Sequence, residues 1–167
     1  MQSQKNRQFR AFSSENVGTL LMSELINTYR GAVMQWHCDQ MGHMNVMWYV
    51  GKFDEATWNL FAMMGISATY LRAEDKAMAA VDQRIQYRRE LLSGDTLTIG
   101  SGVLEIKPKS ITFVHEMRHA ITNEIAATCR LVGVHMGHTT RKSEPFPQRI
   151  LDAAQGMMRT YDFGPRA

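Results

Sequence analysis

Apolar residues at Val46, Tyr49/Val50, Phe53, Thr57, Leu60 and Met64 recur at helical spacing and predict one long helix over about Asn45 to Met64, stopped at Gly65. Beyond Lys76 the period changes from helical to alternating. Val81, Gln83, Ile85 and Tyr87 share one strand face, opposite Asp82, Arg84, Gln86 and Arg88, and Ser93-Gly94-Asp95 reads as a turn. Leu97, Ile99, Ser101 and Val103 then alternate with Thr98, Gly100, Gly102 and Leu104 as far as Ile106, before a second turn at Lys107-Pro108-Lys109-Ser110. A third strand is expected from Ile111 to Ile121, a turn at Thr122-Asn123, and a fourth strand from about Ile125 to Met136. Short connections predict antiparallel neighbours throughout. Ahead of the helix, Tyr29 to Trp36 reads as a short, Gly-interrupted strand. The order is one strand, one long helix and four long antiparallel strands, an α+β arrangement in which a curved sheet must wrap the single apolar helix.

The ends are less regular. Residues 1–28 read as a partly mobile extension with a short helix in its second half, and Met22 is a second candidate start. Residues 29–150 form the expected domain. Residues 151–167 are a tail, with a short helix expected over Ile150 to Arg159 after Pro145 and Pro147.

Composition narrows the function. A 167-residue chain that is 44% hydrophobic suits one globular domain. Its two cysteines, Cys38 and Cys129, are far apart and lack a CxxC spacing, which argues against a disulfide framework and predicts a reducing cytoplasm. No signal-peptide core and no membrane-length apolar run is present. The net charge of +3 is dispersed, so nucleic-acid binding is not expected, nor is a membrane partner.

Candidate chemistry concentrates just before the helix, in Trp36-His37-Cys38-Asp39-Gln40-Met41-Gly42-His43-Met44-Asn45. Free backbone N–H groups at a helix start can hold a developing anion, and a carboxylate beside them can act as base or nucleophile. The same residues also fit a plain polar cap on an irregular loop. The rest of the chain offers one tempting motif: His115-Glu116-Met117-Arg118-His119 matches H-E-x-x-H, a zinc signature that requires a helix. Here the segment alternates as a strand, which would separate the two imidazoles by roughly 13 Å. No metal site is therefore expected. His37, Cys38, Asp39 and His43 match no metal-ligand spacing either. The 13 methionines, six of them around the helix, read first as core filler, and Trp36, Trp48 and Trp58 as core or interface; a cation boxed by these aromatics is a further physical option.

Asp39-Gln40-Met41-Gly42-His43-Met44-Asn45 with Tyr49, Phe53, Glu55 and Ala56 resembles the D-x-x-G-H-x-N…Y…F-x-E-A signature of hotdog-fold acyl-CoA thioesterases of the 4-hydroxybenzoyl-CoA thioesterase type. Tyr87, Gly94-Asp95, Lys109-Ser110 and Pro145-x-Pro147 follow in an order similar to that family's. The resemblance covers about Tyr29 to Ile150. It implies a helix wrapped by a five- to six-stranded antiparallel sheet, paired as a homodimer with active sites at the interface, and leaves a dimer of dimers open. It places Asp39 as nucleophile or general base. Backbone N–H groups around Asn45 and Val46 become the oxyanion hole, and His43 and Asn45 occupy motif positions. It implies acyl-CoA as substrate and no cofactor. Tyr49, Arg88, Arg89, Lys109, Ser110, Arg141 and Lys142 are the candidate substrate or CoA contacts. Two positions depart from the pattern: Val46 stands where relatives carry Asn or Tyr, and Thr57 where they carry Arg, which points to an altered pocket or subunit contact. A non-catalytic acyl-CoA or acyl-carrier binding module, and a dehydratase of 3-hydroxyacyl thioesters using His43 and Glu55, are the alternatives.

Overall fold

The computed structural model describes residues 24–164, so the helix expected in the N-terminal extension lies outside the described residues. The long helix α1 spans Val46–Met63 and buries Tyr49, Phe53, Ala56, Thr57, Leu60 and Phe61. Its apolar stripe is narrower than the sequence implied, because Val46 and Val50 are exposed. Asn45 caps the N-terminus by accepting the Met47 amide at 3.0 Å. At the other end Gly65, at φ +84°, lets the Gly65 amide reach the Ala62 carbonyl and the Ile66 amide reach the Phe61 carbonyl, which closes the last turn.

The strands are β1 (Ile26–Ala32), β2 (Lys76–Tyr87), β3 (Thr96–Lys107), β4 (Ser110–His119) and β5 (Ile125–Gly137). They form a single five-stranded antiparallel sheet in the order β1-β3-β4-β5-β2. Strand β1 begins and ends earlier than its Gly-interrupted pattern suggested, since Gln35–His37 turns into a 3-10 helix. Two short helices complete the chain: α2 (Ala68–Ala73) after α1, and α3 (Gln148–Gln155), which starts and ends ahead of its expected span. None of the helices described is long and apolar enough to cross a membrane.

The expected hairpin between β2 and β3 does not form. Strand β2 pairs with β5 at one edge of the sheet, and residues 88–95 carry the chain across its end to β3. This crossover is stitched to the loop ahead of α1: the Met44 amide donates to the Leu91 carbonyl at 2.7 Å, and Val33 and Gly94 bond the Asp95 and Val33 carbonyls at 2.8 Å. Within β2 the alternation also breaks. A bulge between Ala80 and Asp82 pushes Val81 out of register, and it is 61% exposed on the free edge of the sheet.

The core between α1 and the sheet contains Phe53, Leu60, Ile99, Phe113 and Met117, all fully buried. It also holds a polar chain that the sequence did not reveal. His115 lies under α1, with Nε2 2.9 Å from the Thr57 hydroxyl and Nδ1 2.5 Å from Ser101, which in turn meets Thr28 at 2.6 Å. Thr57 donates to the Phe53 carbonyl at 2.9 Å, so its oxygen accepts from His115 Nε2–H, and Ser101 O–H donates to Nδ1. Burial drops the His115 pKa to about 3. Thr57 therefore faces the core as partner of a neutral histidine, and the expectation that it shapes a substrate pocket or subunit contact is corrected.

Candidate active site

The loop joining β1 to α1 is pinned at three levels. His37 Nδ1 accepts the Met34 amide at 3.0 Å and secures the 3-10 turn. The Asn45 amide donates to the His37 carbonyl at 2.9 Å, which closes the loop at its base. Inside it the Asp39 amide meets the His43 carbonyl at 3.1 Å and the Gly42 amide meets the Asp39 carbonyl at 3.0 Å. Gly42 sits at φ +84°, which explains a glycine at this position of the motif.

This geometry aims the Asp39 side chain at the helix start. Oδ1 accepts the Met41 amide at 2.9 Å and Oδ2 accepts Asn45 Nδ2 at 3.0 Å. These two donors, the Met41 amide first, hold its pKa below the usual carboxylate range and keep it ionised near neutrality. Asn45 thus does two jobs, tethering the carboxylate with its amide nitrogen and capping the Met47 amide with its oxygen. The Trp48 amide bonds the Asn45 carbonyl at 2.9 Å. Among the described residues, the Val46 N–H is the first-turn amide left without an acceptor, and its side chain is 57% exposed.

Two concavities flank this turn. One, of about 880 Å3, opens on the crossover side and includes His43, Val46, Tyr49, Arg88, Arg89 and His119 in its lining. His43 Nε2 lies 3.5 Å from Glu90. Glu55 instead lies beside Tyr29 and Lys52, so a single chain does not bring His43 and Glu55 into the dehydratase pairing. Tyr49 donates to the Arg89 carbonyl at 3.2 Å, and burial pushes its pKa up to about 12. Arg89 pairs with Glu124, while Arg88 donates to Gln86 at 2.8 Å and to the Phe163 carbonyl at 2.5 Å. His119 is a clamp: its Nδ1 accepts the Ile121 and Thr122 amides at 3.2 and 3.1 Å, and Nε2 faces Asp95 at 3.5 Å. The second concavity, about 600 Å3, lies on the Asp39 side and is walled by Trp36, His37, Met47 and Trp48.

Of the residues singled out from sequence, Asp39, His43, Asn45, Val46, Tyr49, Arg88 and Arg89 gather here. Lys109, Ser110 and Arg141 do not. They lie at the opposite end of the sheet, the length of β4 away, or roughly 30 Å at 3.3 Å per residue. Lys109 is occupied there with the Ser143 carbonyl at 3.1 Å, and Arg141 holds a left-handed turn at φ +56° next to Lys142. His115 and His119 lie within extended β4, so the H-E-x-x-H run has none of the helical geometry its zinc reading requires. The sequence reading missed the crossover residues Glu90 and Asp95 and the clamp His119 as parts of the site. Asp95 had marked a turn, but nothing local said which loop that turn would touch.

The model of the thioesterase-like superfamily matches residues 33–154. Among solved structures, a Staphylococcus aureus hypothetical protein in complex with CoA is similar at TM-score 0.78 and 16% identity, covering 90% of this chain and 98% of that one. A 1,4-dihydroxy-2-naphthoyl-CoA thioesterase from Synechocystis is similar at TM-score 0.69 and 19% identity, over 76% of this chain and 93% of that one. The probable thioesterase YbaW from Escherichia coli gives TM-score 0.66 and 22% identity, over 78% and 98% of the two chains. Among curated proteins none matches.

Proposed function

From the premise that this chain belongs to the thioesterase-like superfamily and has its hotdog fold, we propose that it hydrolyses a small or medium acyl-CoA to CoA and the free acid. The observation that carries this is an ionised Asp39, oriented by Met41 and tethered to Asn45, the residue that precedes the unpaired Val46 N–H of a helix start. The thioester carbonyl lies over the first turn of α1, where the Val46 N–H and the helix dipole stabilise its oxyanion. Asp39 attacks the carbonyl carbon and expels the CoA thiolate, leaving an acyl-aspartyl anhydride that water then hydrolyses to the free acid, or it deprotonates a water that attacks, and the tetrahedral intermediate collapses to the free acid and the CoA thiolate. Each Asp39 oxygen accepts one hydrogen bond and keeps a lone pair for that task. A side-chain change at position 46 does not remove the backbone donor, which reconciles Val46 with the role. Asn45 acts through Asp39 as a positioning residue, and His43 lines the entry beside Val46. Arg88 and Arg89 at the cleft rim attract the CoA phosphates.

The free edge of β2, with Val81 bulged outward, is the surface through which two chains pair about a two-fold axis. Antiparallel pairing there sets the partner's Lys109 and Arg141 end beside this chain's helix start, which returns those residues to the site in trans. The S. aureus protein's complex with CoA supports the ligand class. Thiol release from a panel of acyl-CoAs, followed with dithiobis-nitrobenzoate, tests the activity. Release by the purified chain supports hydrolysis, whereas saturable CoA-ester binding without release points to a non-catalytic module.

A further inference from the structure

The recess on the Asp39 side has a chemistry of its own. Trp36 is 70% exposed and stands edge-on to His37 at 5.8 Å between ring centroids; Trp48 lies tilted against His37 at 4.2 Å. Three aromatic rings are therefore contiguous, and they share the recess with the Met47 thioether and the Asp39 carboxylate. Among the described residues lining it there is no lysine or arginine. His37 adds no positive charge: its Nδ1 is spent on the Met34 amide, and burial, with Lys52 nearby, lowers its pKa. Lys52 itself is buried behind the recess, on Tyr29 and the Ala32 carbonyl. The other concavity carries Arg88, Arg89 and two histidines together with Glu90, Asp95 and Glu124, the last paired with Arg89. A recess of aromatic faces and one fixed anion favours a weakly hydrated organic cation over a neutral group of the same shape.

Building on the thioesterase reading, we propose that the recess of Trp36, Trp48 and Asp39 is the acyl pocket, and that it selects acyl groups bearing a quaternary ammonium close to the thioester carbonyl. With the carbonyl over Val46 and the CoA arm leaving past Arg88 and Arg89, the acyl side of the substrate enters this recess, because Asn45 and Met47 line it while Val46 lines the other. The cation then contacts the indole faces, and Asp39 lies within the same short span as the scissile bond. A lone carboxylate among aromatic side chains at the acyl side matches a cationic acyl end.

Two esters of one shape separate charge from size: trimethylammonioacetyl-CoA and its neutral isostere 3,3-dimethylbutanoyl-CoA. The expected result is a kcat/KM at least about tenfold higher for the cation, with the ratio falling toward one in Trp36→Leu and in Trp48→Leu. Independently of turnover, tetramethylammonium chloride titrated against sodium chloride at matched ionic strength should give a saturable change in tryptophan fluorescence. That change should be weakened in Asp39→Asn and lost in Trp36→Leu. Equal kcat/KM for the two esters, or no saturable response to tetramethylammonium, overturns the proposal. If neither ester is hydrolysed while the cation still binds, the hydrolase reading falls and the cation site stands.

Discussion

Buried and neutral in the folded chain, His115 ties stability to pH in a calculable way. Its pKa is about 3 when folded, against 6.5 for an exposed histidine. Between these values the unfolded chain binds a proton that the folded chain does not, so stability falls as pH falls; above about pH 6.5 the contribution is complete. At pH 5.0 the unfolded imidazole is almost fully protonated, and with 1.36 kcal/mol per unit the loss relative to pH 7.5 is about 2 kcal/mol. Among the described residues no charged side chain relieves this, because the ring's partners are Thr57 from α1 and Ser101 from β3, with Phe53 stacked on the ring and Phe113 edge-to-face with it. Urea unfolding of wild type and His115→Gln at pH 7.5 and 5.0, at fixed protein concentration, measures the effect. The variant is expected to be about 1–3 kcal/mol less stable at pH 7.5, from lost hydrogen bonds and packing. That gap should narrow by about 2 kcal/mol at pH 5.0, because only the wild type carries this linkage. Equal losses in the two proteins between the two pH values would refute the buried neutral histidine.

Asn45→Ala removes both the Met47 cap and the Asp39 tether; urea unfolding should show a cost of about 1 kcal/mol, and steady-state kinetics a fall in kcat larger than any change in KM. Arg88→Ala and Arg89→Ala should raise KM for acyl-CoA and flatten its dependence on salt, with kcat little changed. Val81→Lys places a charge at the outer edge of β2 and should shift the light-scattering mass from dimer to monomer; an unchanged mass would count against pairing through that edge.

Periodicity carried much of the fold into view. The 3.6-residue spacing of Tyr49, Phe53, Thr57 and Leu60 and the alternation at the start of β3 are local properties, imposed by which side chains must face one core. Strand neighbours were not local. A turn at Ser93-Gly94-Asp95 looks the same whether the chain folds back on itself or crosses to the far edge, and only pairing β2 with β5 decides it. The Val81 bulge broke a two-residue alternation that the sequence carried straight through. In the site, Asp39, Asn45 and Val46 were legible because they are adjacent and a helix start has a known polarity. Lys109 and Arg141 fall away from Asp39 within one chain, and a basic residue in a turn gives no sign of which end of the sheet that turn occupies. Thr57 and His115 are 58 residues apart in sequence, and no one-dimensional pattern announces that they share a hydrogen bond.

The central claim is that the Asp39 carboxylate performs the chemistry instead of merely bracing its loop. Asp39→Asn keeps an acceptor for the Met41 amide and is nearly isosteric, so the fold and CoA-ester binding should survive the loss of the bond from Asn45 Nδ2, which an amide NH2 cannot accept. Single-turnover thiol release by wild type and Asp39→Asn, on an ester to which both bind with equal affinity, isolates that role. A rate reduced by at least about a thousandfold, with no more than the small fall in urea midpoint that the lost Asn45 bond brings, is the expected result. A variant that hydrolyses the ester at a near wild-type rate, or whose loss of rate merely tracks loss of stability, would contradict the account.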